Sequence, residues 1–516
     1  MNLFNTKTMK MKILITGIVI FTLLFSTAGY SQLRNNYKEL DEYIEKAVAD
    51  FEIPGLAVGI IKNGEIVLAK GYGYANAEAK TLVDENTIFG IASCSKAFTA
   101  ACISILVDEG KLNWNDKVSD ILPKFQLFDP YITRELTVRD LLCHRAGYET
   151  FDGDLLWYGT DYSRVEVISR FRYRENPFSF RSQFGYSNLM FITAGEVIKE
   201  VSGISWDEFV TEKIFNPLAM NNSTTTNSGF DETMNIAWPH LDGQIMDFIN
   251  YDNSGPAASI NSSVKDLLYW VQLMLNKGAI NDTAVFTENQ YYKMVSSQTI
   301  LNAGRAEKIG GRHFSSYGLG WFLYDYEGMK VVNHGGGVPG FHSKVVFVPE
   351  DSLGIVILAN ELGGLVGAIE HKILDYHIGD AEKDWVTIYL DYVNKGKERE
   401  ANRIIELDSS RISGTNPSLE LASYTGIYED EMYGKASVEL IEDKLTVKLL
   451  PAEELLSSTM DHWHYDTFSI NFKDPFLPKG LISFYLNGDG DADYFTIDVY
   501  SPDLHFQKLK FERTAK

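Results

Sequence analysis

The feature that most constrains the fold is a pair of hairpin signals far apart in the chain. Leu56–Ile61 and Glu65–Ala69 are strand-like runs on either side of Asn63-Gly64. Two such runs about an Asn-Gly turn are the strongest short-range hairpin signal. Phe341–Val348 and Leu353–Ala359 repeat the pattern around Pro349-Glu350-Asp351-Ser352, after further strand-like runs at Tyr317–Tyr324 and Lys330–Asn333. Between Ser93 and about residue 300 the apolar spacing is mostly helical, as in Thr137–Cys143, Ser187–Val201 and Asp266–Asn276. A helix over Tyr37–Phe51, with Leu40, Tyr43, Ile44, Ala47 and Val48 on one face, precedes the first hairpin; another over Gly363–His377 follows the second. This arrangement predicts an α+β fold: an antiparallel sheet flanked by helices, built from both ends of a segment, with a helical insertion between them.

The chain of 516 residues has room for more than one domain. We assign the α+β fold to residues 32–390. Residues 391–416 are polar and charge-rich around Lys395–Arg403, and read as a partly helical linker. Residues 417–516 hold six short alternating runs: Gly434–Ile441, Lys444–Leu449, Thr467–Phe472, Leu481–Leu486, Tyr494–Val499 and Phe506–Phe511. Their spacing predicts an all-β barrel or sandwich. The net charge is −23 and no long basic block occurs, which argues against a nucleic-acid partner.

Lys7, Lys10 and Lys12 precede an apolar run from Ile13 to Phe25, and small residues follow through Ser31. This is the pattern of a secretory signal peptide over residues 1–31, with cleavage after Ala28 or after Ser31 fitting the small-residue rule and the latter, which leaves Gln32 first, preferred. The run is too short to span a bilayer as a helix. No cysteine lies near it to carry a lipid, so a periplasmic or secreted protein with no stable membrane anchor after cleavage is expected. The cysteines are Cys94, Cys102 and Cys143; an odd number without C-x-x-C reads as small buried hydrophobes rather than a disulfide framework or zinc site.

Three segments could carry chemistry. Ser93 and Lys96 lie three apart in Ser93-Cys94-Ser95-Lys96, on one face of an apparent helix. A serine hydroxyl needs a base to become nucleophilic, and a lysine of lowered pKa can help. Ser95 lies further round the helix from Lys96, which makes Ser93 the better nucleophile. In Tyr186-Ser187-Asn188, residues two apart on an extended segment face one way. Tyr186 could relay a proton, and Asn188 could hold a substrate carbonyl and the lysine. In Asn333-His334-Gly335-Gly336-Gly337, the glycines let a substrate lie against a strand, and a backbone N–H there can serve half an oxyanion hole.

Taken together and in this order, the three segments resemble the set S-x-x-K, S-D-N, K-T-G of serine β-lactamases and penicillin-binding proteins. The resemblance covers about residues 37–380 and is to the class C and D-aminopeptidase-like branch, where Y-x-N replaces S-D-N. It extends to Leu136–His144 and to Tyr317-Gly318-Leu319-Gly320-Trp321. It implies that Ser93 is acylated and that Lys96 keeps the site positive and helps deprotonate it. Tyr186 is then general base and general acid, and Asn188 orients the acyl side chain and Lys96. His334 contacts the leaving-group side beside Gly335 and Gly336, and the N–H groups of Ser93 and Gly337 form the oxyanion hole. Neither metal nor organic cofactor is implied.

This sequence departs from the family in carrying His334 where lysine is usual. Histidine is only partly charged near neutral pH, so weaker and pH-dependent carboxylate recognition is expected. The class A glutamate that activates the deacylating water has no counterpart, which leaves Tyr186 to serve both half-reactions.

Tyr424–Tyr428 and Tyr433-Gly434 resemble the lipocalin-like barrel appended to many such proteins, which can border the cleft or a contact between copies. The expectation is an exported serine hydrolase acting on peptide amides, D-residue-containing, or small esters, with homo-oligomerisation open. The alternatives are a β-lactamase or D,D-peptidase, and a binding protein without turnover. Asn487–Asp493 fails the EF-hand register and reads as a hairpin turn.

Overall fold

A computed structural model describes residues 37–280, 283–302 and 311–514. The expected signal peptide, residues 1–31, lies outside the described residues. Among these, no helix is long and apolar enough to cross a membrane.

The two hairpin signals meet in one antiparallel sheet of nine strands. Its first three are β1 (Gly55–Lys62), β2 (Glu65–Asn76) and β3 (Thr81–Leu82). Six more return from downstream: β4 (Thr299–Leu301), β5 (Ser315–Tyr317), β6 (Phe322–Tyr326), β7 (Met329–Val338), β8 (Phe341–Val348) and β9 (Leu353–Ala359). The order is β4-β5-β6-β7-β8-β9-β1-β2-β3. β9 pairs with β1 in the register Leu56↔Ala359 to Lys62↔Leu353, so the two ends of the segment close on each other. Every residue of β9 is buried, as a central strand covered on both faces requires.

One face of the sheet is covered by α1 (Lys38–Asp50) and by a later helix, Leu365–Ile378; they bury Leu40, Ile44, Ile369 and Ile373 against Val58, Ile60 and Ile355. The other face carries the insertion. Its helices include α2 (Ser95–Asp108), α3 (Asn188–Ser202) and α4 (Val264–Leu275); in chain order Leu365–Ile378 is α5. α2 is buried on every side from Ser95 to Leu106, as a helix enclosed by others should be. α4 lies close on the sheet because Gly59 and Gly354 have no side chains: a Cβ there would sit 2.7 Å from Val264 and 2.2 Å from Val271.

The polar stretch expected as a linker lies mostly inside one 25-residue helix, α6 (Trp385–Ser409), of which only Trp385 and Val386 are buried. Beyond it is a closed barrel of eight strands. These are β10 (Gly426–Asp430), β11 (Gly434–Ile441), β12 (Lys444–Leu449), β13 (Ser457–His464), β14 (Thr467–Ile470), β15 (Gly480–Leu486), β16 (Ala492–Asp498) and β17 (Lys510–Arg513). β10 was not foreseen in the sequence, β13 extends the strand expected only at His462-Trp463-His464, and the Phe506–Phe511 run divides into a 3₁₀ turn and β17. Tyr424, Tyr428, Phe468, Phe484 and Phe495 meet inside the barrel with ring centroids 5.0–6.0 Å apart, so its interior is a packed core. Asn487–Asp493 is the turn between β15 and β16, closed by Asp489 and Asp491 N–H groups donating to Asn487 Oδ1 at 3.0 Å.

The barrel packs against the loop Glu149–Tyr162 of the insertion. Tyr158 donates to Asp474 at 2.7 Å and Tyr162 to the Tyr433 carbonyl at 2.8 Å. A single buried apolar cluster runs from the insertion into the barrel.

Candidate active site

Ser93 sits in a 3₁₀ turn, Ala92–Cys94, immediately before α2. Ala92 has φ +48°, a left-handed conformation that alanine adopts only under local constraint. Lys96, one turn on, is wholly buried. Its Nζ lies 3.0 Å from Ser93 Oγ, 2.6 Å from Asn188 Oδ1 and 2.9 Å from the Ala257 carbonyl. Burial drives its pKa down to about 7, against the raising field of Asp154. Ser95 takes no part in this cluster: its hydroxyl donates to Ala92 O at 2.7 Å and accepts from Ile260 N at 3.1 Å, tying the turn to its neighbours.

Tyr186 and Asn188 converge on the same spot. Ser187 is extended and Asn188 opens α3, so both side chains point into the cleft. Tyr186 is pinned through its backbone: its N–H donates to Thr150 Oγ1 and its carbonyl accepts from Phe151 N–H. The imidazole of His144 lies against its ring at 4.1 Å, and the Lys96 ammonium sits 4.7 Å above the ring centre. Burial raises the phenol pKa strongly, and the hydrogen bond with Ser93 opposes this only in part.

β7 brings the third segment. It runs from Met329 through the glycines to Val338, beyond the Lys330–Asn333 expected. Gly336 must be glycine, since a Cβ would lie 2.3 Å from Ile91 O and 2.8 Å from Ser93 N. That contact brings β7 against the nucleophile turn, with Gly337 on the cleft wall. His334 is buried. Its Nδ1–H donates to Gly335 O at 2.7 Å, and its Nε2 accepts from the Tyr317 hydroxyl at 2.9 Å. Burial, and then the nearby Lys96, push its pKa down to about 3, so the ring is neutral near pH 7 rather than partly charged as the sequence suggested.

Ser93, Tyr186, Asn188, His334, Gly335 and Gly337 line one cleft of about 780 Å³, and Lys96 reaches it through Ser93. Gly336 backs the wall rather than lining it. Two contributors escaped sequence reasoning, Asp154 and the Ala257 carbonyl, and the barrel borders the cleft as the resemblance allowed. Asp154, wholly buried, accepts from Asn188 Nδ2 at 2.6 Å and from Trp157 Nε1 at 2.9 Å. The Ala257 carbonyl is a third acceptor for Lys96. The barrel supplies Phe476, Leu477 and the Ser501–Leu504 loop as a wall of the cleft. None carries a local motif; each is defined by a contact across many residues of sequence.

Comparison with known proteins agrees with this geometry. A family model described as beta-lactamase matches residues 40–379. The chain belongs to the β-lactamase family. A second model, described as a domain of unknown function (DUF3471), matches residues 410–513. This β-lactamase-family chain is similar to an unguisins hydrolase of Aspergillus violaceofuscus, 26% identical over 80% of this chain and 77% of the relative. It is similar to protein flp of Staphylococcus aureus, 27% identical over 63% of each chain. Its fold is that of an octameric penicillin-binding protein homologue from Pyrococcus abyssi, with TM-score 0.58 and 23% identity over 92% of this chain and 99% of that one.

Proposed function

We propose that this protein is an exported serine hydrolase that works through an acyl-enzyme on Ser93, cleaving peptide amides, D-residue-containing, or small esters. The observation that carries the reading is the placement of Lys96 Nζ, 3.0 Å from Ser93 Oγ with two other acceptors around it. As a neutral amine, Lys96 gives its two N–H groups to Asn188 Oδ1 and Ala257 O, and its lone pair then faces the Ser93 hydroxyl. That is the geometry of a general base.

Burial sets Lys96 and Tyr186 apart: the amine is lowered to near neutrality and the phenol is raised. Lys96 is therefore the base, and Tyr186 the acid that hands a proton to the leaving group and is reprotonated from Lys96. Ser93 Oγ bonds to the acyl carbon while its proton passes to Lys96. The carbonyl oxygen takes the negative charge and the N–H groups of Ser93 and Gly337. The C–N or C–O bond breaks as the leaving atom takes the Tyr186 proton. Water then repeats the sequence on the acyl-enzyme, with Ser93 as leaving group.

A hydrolytic reaction is supported by the name of the unguisins hydrolase relative. A β-lactamase or D,D-peptidase reading is weakened by the neutral, buried His334, which offers no charge to a carboxylate. The test is hydrolysis of p-nitrophenyl acetate by the mature protein and by Ser93→Ala. Turnover by the wild type and none by the variant is the expected result; equal activity, or none in either, overturns the reading. Export is tested by fractionating cells and sequencing the mature N-terminus, expected at Gln32. Assembly into a homo-oligomer is tested by size-exclusion chromatography with light scattering.

A further inference from the structure

One buried side chain in contact with Tyr186 has no role in the acylation steps: His144. It is wholly buried and clasps the chain on both sides of the phenol. Its carbonyl accepts from Gly185 N–H at 2.9 Å, and its Nδ1 accepts from Ser187 N–H at 3.0 Å. Its ring centre lies 4.1 Å from that of Tyr186 and 4.4 Å from that of Tyr317. The local sequence does not fix this stretch: Ser187 stands at the N-cap of α3, yet its hydroxyl makes no capping bond.

An imidazole that accepts at Nδ1 carries its proton on Nε2. Here Nε2 is buried and has no hydrogen-bond partner among the described residues. A buried donor left unpaired costs stability, and a phenylalanine at this position would avoid that cost. The histidine is therefore explained by its other nitrogen, which takes the Ser187 N–H. Burial, and then the fields of Lys96 and His334, keep the ring neutral, so Nδ1 remains an acceptor. We propose that His144 is the positioning residue for Tyr186: by accepting the Ser187 N–H and packing on the phenol ring, it holds the hydroxyl where it can pass a proton to the leaving atom. The inference rests on the reading of Tyr186 as the acid. Without Nδ1, the peptide plane between Tyr186 and Ser187 is released and the phenol moves with it. Small displacements of a catalytic group are costly in rate.

The test is the leaving-group dependence of kcat/KM in the full chain, on the acetate esters of p-nitrophenol, phenol and ethanol. p-Nitrophenolate leaves unaided, whereas ethoxide needs a proton as the C–O bond breaks. In His144→Phe, which keeps a ring without an acceptor, kcat/KM should fall about twofold for p-nitrophenyl acetate and about thirtyfold for ethyl acetate, with phenyl acetate between. His144 has φ +56°, a left-handed conformation in which asparagine and histidine are enriched. His144→Asn accordingly keeps the backbone and sets Oδ1 where Nδ1 stood, so its losses on the three esters should agree within about threefold. His144→Ala replaces His144→Phe if the latter does not fold. A merely structural role lowers all three esters alike. Equal losses in a folded His144→Phe or His144→Ala, or a leaving-group dependence as steep in His144→Asn, overturn the proposal. Tyr186→Phe is the reference and should be steeper than either. If Tyr186→Phe loses all three esters alike, the reading of Tyr186 as the acid fails and this proposal falls with it. If Tyr186→Phe is steep and His144→Phe is flat, this proposal falls alone.

Discussion

At the scale of single residues, the site depends on what burial does to Lys96. Burial brings its pKa down to about 7, so the neutral amine becomes accessible near neutral pH. The reaction needs that neutral form. kcat/KM should therefore rise with pH through about 7 and level off above it; a limb near the ordinary lysine value would show that the base is charged throughout the working range. Lys96→Arg removes the titration outright, and a loss of about a hundredfold or more in kcat is expected. Gly336 makes a different demand. In Gly336→Ala the new methyl meets the Ile91 carbonyl and the Ser93 nitrogen, both backbone atoms that cannot turn away. The turn carrying Ser93 or strand β7 has to shift. We expect a stability loss of about 1–3 kcal/mol by urea titration, together with a fall in kcat, since the N–H groups proposed for the oxyanion hole lie on these two segments.

At the scale of elements, the sequence was most legible where periodicity and turn chemistry agree. The Asn63-Gly64 hairpin and the Phe341–Val348 and Leu353–Ala359 pair are strands because their apolar runs are long and their turns short. Tyr317–Tyr324 misled. The chain breaks there, with Gly320 at φ +75° and so placed that a Cβ on it would lie 2.8 Å from the Lys96 carbonyl oxygen, so β5 and β6 form a tight hairpin against α2. β7 runs further than the Lys330–Asn333 expected: the ladder to β8 continues through its glycines, from Gly335↔Lys344 to Gly337↔His342. The motif residues were readable because catalysis demands particular side chains at particular spacings, whereas Asp154 was not, since the partner that ties it to the site, Asn188, lies on another element. Helix α6 shows a third limit: it is polar nearly all round, and its buried residues, Trp385 and Val386, lie at one end. Trp385 is buried, donates to Asp375 Oδ2 at 2.7 Å and lies on the His371 ring at 4.4 Å. Asp375 keeps the Tyr326 hydroxyl as its other partner. Trp385→Phe preserves the apolar body but strands one carboxylate oxygen in the core. A cost of about 1–3 kcal/mol is expected in urea unfolding; no change would mean that α6 does not depend on this anchor.

At the scale of the whole molecule, the barrel and the catalytic fold form one structure with a shared cleft. The barrel's own interior is filled by aromatic rings, so its exposed loops, not a cavity inside it, are what it brings to the site. Those loops are held by an ionic joint centred on Asp152, which is wholly buried. It accepts from Arg174 Nε at 3.0 Å, Lys508 Nζ at 2.7 Å, His505 Nδ1 at 3.3 Å and Glu149 N–H at 2.9 Å; Lys508 also pairs with Glu149. Glu149, Asp152 and His505 are ligand types that could hold a cation, but the Lys508 ammonium lies on both carboxylates. Burial alone would raise the pKa of Asp152; the hydrogen bonds from His505 and Lys508, with the charge of Arg174, outweigh it and hold the group at about 2. A carboxyl depressed on folding contributes stability above its unfolded value, and that contribution is lost as the pH falls through the folded one. Asp152→Asn should therefore cost about 2 kcal/mol at pH 7, with the gap to the wild type narrowing below pH about 4 and closing near pH 2. Because one apolar core runs through both parts, thermal unfolding of either protein should be a single transition. Two separated transitions in the wild type, or a gap that stays constant down to pH about 2.5, would show that the joint does not couple the barrel to the loop carrying Phe151 and Asp154. The barrel wall of the cleft would then be free to move independently of Ser93.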